Sequence, residues 1–103
     1  MAWEKVAKLA DFSAKSVIVV DYDDVPVAIY KLSDGFFAIA DTCSHAEASL
    51  AEGESDDHTV ACPLHGAKFA IRSGENLSLP AVVPVEKYAL KIENEEIFID
   101  YEE

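Results

Sequence analysis

Two short stretches of this 103-residue chain hold both of its cysteines and two of its three histidines. They are Cys43-Ser44-His45 and, sixteen residues later, Cys62-Pro63-Leu64-His65. Each offers one soft thiolate and one imidazole, the donor types that suit iron–sulfur and zinc centres. Two such pairs can meet at a single metal centre only if the fold carries two loop tips side by side. Two thiolates and two imidazoles are the ligands of a [2Fe–2S] cluster in which histidines replace the cysteines of one iron, and no cysteine is left over.

Charge explains why a chain would use that mixture. Two ferric ions and two sulfides sum to +2, so four thiolates give a dianion, whereas two thiolates and two neutral imidazoles give a neutral centre. An electron enters a neutral centre more easily, which raises the reduction potential. The free ring nitrogens can also lose protons at high pH, coupling reduction to protonation there. A tetrahedral zinc site shares the same four ligands, but zinc fingers usually pair cysteine with cysteine and histidine with histidine. Here each end is mixed and Cys-x-His is tight. A cysteine–histidine nucleophile would need an activated thiolate and an oxyanion site, and nothing in the sequence suggests either.

The scaffold reads as strands. Short apolar runs are separated by turn residues, with a period nearer 2 than 3.6. Strands are expected over Trp3 to Leu9, Ser16 to Tyr22 (with the β-branched Val17-Ile18-Val19-Val20), Pro26 to Leu32 and Phe36 to Ala40. Thr59 to Ala61 and Lys68 to Ile71 should flank the second ligand stretch, and Glu86 to Ile92 with Glu96 to Tyr101 should form a closing hairpin. Turns fall at Asp23-Asp24, Ser33-Asp34-Gly35, Arg72 to Glu75 and Glu93-Asn94-Glu95. Pro26 lacks a ladder donor, so it belongs at a strand's start or on an edge. The pattern predicts one all-β domain over residues 1–103, an antiparallel sandwich with ligand loops at about 41–48 and 61–67.

With 20 acidic and 8 basic residues the formal net charge is −12. Nucleic acid and anionic membrane would repel such a chain, whereas positively charged protein surfaces would attract it. The first ten residues carry Glu4, Lys5 and Lys8 and no long apolar stretch, and no run is long enough to span a bilayer. A cytoplasmic monomer is expected. His58, between acids, reads as exposed and without a role. Trp3 and Phe36-Phe37 read as core. Glu52 to Asp57 reads as a solvated loop between the ligand stretches, placed where a partner could dock.

The pattern Cys-x-His, sixteen residues, Cys-x-x-His closely resembles that of the Rieske iron–sulfur proteins, and the length resembles the stand-alone Rieske ferredoxins. The likeness extends to Leu50, Gly53, Pro63, Gly66, Phe69, Arg72-Ser73-Gly74 and Pro80. It implies that Cys43 and Cys62 bind one iron and His45 and His65 the other. It also implies a covering loop at about 78–84, and a Gly66 that lets backbone approach the sulfides. High-potential members carry a further cysteine in each loop, joined as a disulfide, and aim serine and tyrosine hydroxyls at the cluster sulfurs. The matching positions here are Ala48, Leu64, Ala67 and Phe69. The disulfide and both hydroxyls are therefore absent, which implies a potential low in the family's range. The resemblance implies a one-electron carrier, not an enzyme, which takes electrons from an NAD(P)H-dependent flavoprotein reductase and passes them to a terminal oxygenase. The alternative it leaves open is a small subunit of a larger redox enzyme such as nitrite reductase.

Overall fold

The run Val25–Leu32, VPVAIYKL, does not alternate because both of its faces are covered. Val27 and Ile29 point into one apolar core and Ala28 and Tyr30 into another. A strand buried on both sides reads as a near-continuous apolar run, and this one is the axis of the molecule. The computed structural model describes residues 3–13, 15–22, 24–42, 48–63, 66–78 and 84–101. Among them are eight strands: β1 (Glu4–Lys8), β2 (Val17–Tyr22), β3 (Val25–Leu32), β4 (Gly35–Ala40), β5 (Thr59–Ala61), β6 (Lys68–Ala70), β7 (Lys87–Glu93) and β8 (Glu96–Tyr101). The helical segments among the described residues are two short 3₁₀ turns, Leu9–Phe12 and Leu50–Glu52. The expected all-β antiparallel fold is borne out.

Six strands form one sheet in the order β1-β8-β7-β4-β3-β2, and β5 with β6 forms a separate ribbon. Every ladder is antiparallel. Edge strands β1 and β2 approach one another, so the sheet curls. The Tyr22 hydroxyl donates to Asp100 Oδ1 at 2.9 Å, joining β2 to β8 across that curl. The enclosed core holds Ala7, Phe12, Val27, Ile29, Ala38, Tyr88, Ile97 and Ile99. Pro26 is the second residue of β3, at the strand's start as its missing donor requires. The β7–β8 turn puts Asn94 (φ 52°) and Glu95 (φ 65°) in the left-handed region, the two-residue geometry that matches strand twist in a hairpin.

One expectation needs correction. Trp3 is 42% exposed, not core. Its ring lies on the outside of the sheet, where the Lys91 ammonium sits 4.9 Å from its centroid and 5.5 Å from that of Phe98. The cationic head and its stem give the indole a partner that needs no burial. Phe36 and Phe37 are partly buried, one against each core.

Candidate metal centre

β4 ends at Ala40 and the chain enters the first ligand stretch through Asp41. Asp41 is 5% exposed. Its carboxylate accepts from Ser49 Oγ at 2.6 Å and from the Ala51 amide at 2.9 Å. The Asp41 carbonyl accepts from the Leu50 amide at 2.7 Å, and Thr42 bridges to Ser49. One side chain thus draws the entry and exit of the first loop into a narrow neck. Burying a carboxylate costs free energy unless it is hydrogen-bonded. Here two donors meet it, and the loop is closed as a result.

The second ligand stretch leaves β5 at Cys62. The Cys62 amide donates to the Ala67 carbonyl at 2.7 Å and the Gly66 amide to the Cys62 carbonyl at 3.2 Å. Gly66 (φ 70°) makes this reversal, and among the described residues beyond its chain neighbours a Cβ there would meet nothing within 4 Å. What the protein itself requires of the position is therefore the positive φ. Cys62 is 2% exposed with a free thiol. Ala67 and Phe69, which follow it, are fully buried.

The two necks are joined. Leu50 from the first and Cys62 from the second share an apolar core with Ala28, Tyr30, Ile39, Val60, Ala67, Phe69, Ile71 and Val85. Gly53 seals the contact: a Cβ there would collide with the Ala61 carbonyl oxygen and lie 3.2 Å from Pro63 Cδ. The Ala61 amide donates to the Glu54 carbonyl at 2.8 Å. Past β6, Gly74 (φ 77°) lets the chain before β7 pack tightly, since a Cβ there would collide with the Val85 carbonyl oxygen. The Val85 amide donates to the Gly74 carbonyl at 2.9 Å. The chain that leads into β7 is thereby tied to the turn that follows β6.

Of the four expected ligands, only Cys62 lies within the described residues; Cys43, His45 and His65 lie outside them. So do Leu64 and residues 79–83 of the expected covering loop. The fit to a metal centre therefore rests on two features. The segments carrying the four donors leave from adjacent, hydrogen-bonded necks, and the one described donor is a buried, free thiol. Both suit a two-loop cluster.

Three features were not read from the sequence. Asp41 marks the start of the first ligand loop in the sequence, but only the fold shows its carboxylate closing the neck. Tyr30 presents a hydroxyl that is buried and has no hydrogen-bond partner among the described residues. Burial first, and then the nearby Asp41 carboxylate, push its phenol well above the ordinary tyrosine range. Third, the acidic segment is more than a solvated loop. Asp57 accepts from the Ser33 amide at 2.7 Å and hydroxyl at 2.6 Å, and Asp56 accepts from the amides of His58 and Thr59, each at 2.7 Å. His58 is exposed, yet its carbonyl accepts from the Ile71 amide at 3.0 Å. Its Nδ1 lies 3.3 Å from Arg72 Nη1.

Residues 2–89 match the Rieske [2Fe-2S] domain family. The chain is 35% identical over 102 residues to the ferredoxin component of biphenyl 2,3-dioxygenase from Rhodococcus jostii (strain RHA1), covering 99% of this chain and 95% of that protein. It is 41% identical over 96 residues to the ferredoxin subunit of 3-phenylpropionate/cinnamic acid dioxygenase from Escherichia coli (strain K12), covering 92% and 90%. Its fold is similar to a chain in the complex of reduced oxygenase and oxidised ferredoxin in carbazole 1,9a-dioxygenase. There the TM-score is 0.88 and the identity 31%, over 98% of this chain and 96% of the other.

Proposed function

This chain belongs to the Rieske [2Fe-2S] domain family, and from that premise we propose that it carries electrons singly from an NAD(P)H-dependent flavoprotein reductase to a terminal oxygenase. It holds one Rieske-type [2Fe–2S] cluster and serves as an electron-transfer component, not as the catalyst. In the proposed assignment Cys43 and Cys62 hold one iron and His45 and His65 the other. The cluster, when bound, supplies a reversible one-electron couple whose potential is set by ligand type and by hydrogen bonds to its sulfurs.

The protein's part is to hold and shield. The Asp41-clamped neck and the Cys62–Ala67 reversal present the two ligand stretches from one core. Buried Ala67 and Phe69 offer no hydroxyl to a sulfur, and apolar cover without donors disfavours the extra charge of the reduced state. The shared core of the two necks, with the free Cys62 thiol inside it, is the observation that carries this reading.

The relatives named as dioxygenase ferredoxin components support an oxygenase as acceptor, and they favour it over the nitrite-reductase type of small subunit. The net charge of −12 supports partners with basic docking surfaces and argues against nucleic acid or anionic membrane. We place the protein in the cytoplasm as a monomer of one domain over residues 1–103. Among the described residues no helix is long and apolar enough to cross a membrane.

Anaerobic reconstitution with iron and sulfide tests the proposal. The expected product is a coloured protein with two irons and two acid-labile sulfides per chain that takes up one electron. A colourless product, or stable binding of zinc alone, would contradict it.

A further inference from the structure

Arg72 is the only arginine in the chain, and it stands just past β6, the strand that leaves the second ligand stretch. Its Nε and Nη2 donate to the two carboxylate oxygens of Asp34 at 3.1 and 2.6 Å. Its Nη1 donates to the Asp57 carbonyl at 2.7 Å, and its Nη2 lies 3.4 Å from Asp57 Oδ2. The guanidinium carbon lies 5.3 Å from the centroid of Phe37. Asp57 in turn holds Ser33 through both of its carboxylate oxygens.

These contacts connect three places. Ser33 and Asp34 form the β3–β4 turn of the large sheet, Asp57 precedes β5, and Arg72 follows β6. One planar fork therefore fixes both strands of the β5–β6 ribbon to the sheet, at the end away from the ligands. A two-stranded ribbon is at best marginally stable alone, so its orientation has to come from what it packs against. The shared core supplies apolar contact without direction, whereas a bidentate pair with a carboxylate supplies direction.

We propose that Arg72, acting through Asp34 and Asp57, is a positioning residue for the metal centre: it holds the ribbon that carries Cys62 and His65 at one angle to the sheet. This rests on the cluster assignment above. A ribbon held at one angle gives one cluster environment and narrow spectral lines. A ribbon that rocks gives a spread of environments and an early loss of metal.

The test compares reconstituted wild type with Arg72→Met, Arg72→Lys, Asp34→Asn and Ile97→Val, by electron paramagnetic resonance after reduction and by midpoint potential. Ile97→Val perturbs the core on the far side of the large sheet and leaves the fork intact. Arg72→Met and Asp34→Asn are both expected to broaden the reduced signal. Both should also speed cluster loss about fivefold, the worth of a networked bidentate pair. Arg72→Lys keeps the charge without the fork and should fall between them and wild type. Ile97→Val should leave the line width unchanged.

Two results would overturn the proposal. One is broadening by Ile97→Val equal to that by Arg72→Met, which would make the effect one of general destabilisation. The other is unbroadened lines with opposite potential shifts for Arg72→Met and Asp34→Asn, which would make Arg72 a mere point charge. Failure of wild type itself to give a reduced cluster signal would refute the cluster assignment instead.

Discussion

Asp41 closes the neck of the first ligand stretch with its carboxylate. Replacing it with alanine leaves the Ser49 hydroxyl and the Ala51 amide without their acceptor in a part-buried site. Asp41→Ala should cost about 1.5–3 kcal/mol in chemical denaturation, the range for hydrogen bonds to a charged group, and should release the cluster sooner on dilution into chelator. Tyr30 gives the opposite expectation. Its buried hydroxyl has no partner among the described residues, so Tyr30→Phe should be neutral or stabilising by up to about 1 kcal/mol. A loss greater than that would show the hydroxyl to be satisfied within the fold. At this scale the sequence was a partial guide. Cysteines and histidines announce themselves by chemistry, but the acids that close a neck look like any other acid until the chain is folded. Arg72 and Asp34 are 38 positions apart, and no local pattern encodes such a pair.

Strands and turns were the most legible level, because β-branched runs and turn residues act locally. The strand expectations at Ser16 to Tyr22, Pro26 to Leu32, Phe36 to Ala40 and Glu86 to Ile92 each lie within a residue or two of an observed element. The 3₁₀ turns were not foreseen, since three or four residues leave no periodicity to detect. The β7–β8 hairpin is under local strain. Glu95 holds φ 65°, a conformation that disfavours residues with a Cβ by roughly 1–2 kcal/mol. Glu95→Gly should therefore raise stability by about 0.5–1 kcal/mol, read as a higher denaturation midpoint with unchanged slope. Gly53 marks the reverse case. Gly53→Ala forces a methyl into the Ala61 carbonyl and should destabilise by about 1–3 kcal/mol, as overpacking does. Cluster incorporation should fall with it, because the contact it breaks joins the two necks.

The whole molecule is a curled sheet with a ligand-bearing ribbon set against it, and its response to pH follows from how the two are joined. Hydrogen bonds from Arg72 hold Asp34 below the ordinary carboxylate range; those from the Ser33 hydroxyl and amide, then Arg72, do so for Asp57. A carboxyl whose folded value lies below its unfolded value binds fewer protons when folded. Its stabilisation is complete above the unfolded value of about 4 and fades as pH falls through the folded value. The stability deficit of Arg72→Met should accordingly be constant at neutral pH and shrink on acidification below about pH 4, measured by denaturant titration across a pH series. The potential is also a property of the whole centre. With Ala67 and Phe69 in place of hydroxyl donors, a redox titration should give a midpoint nearer roughly −150 mV than +300 mV. A clearly positive midpoint would contradict that reading.

The central claim is a cluster held by two cysteines and two histidines from two joined necks. Electron paramagnetic resonance of the dithionite-reduced protein addresses it most directly. The account predicts a one-electron-reduced signal with an average g value below that of an all-cysteine [2Fe–2S] cluster. A signal of the all-cysteine kind, or a silent protein containing zinc, would contradict it.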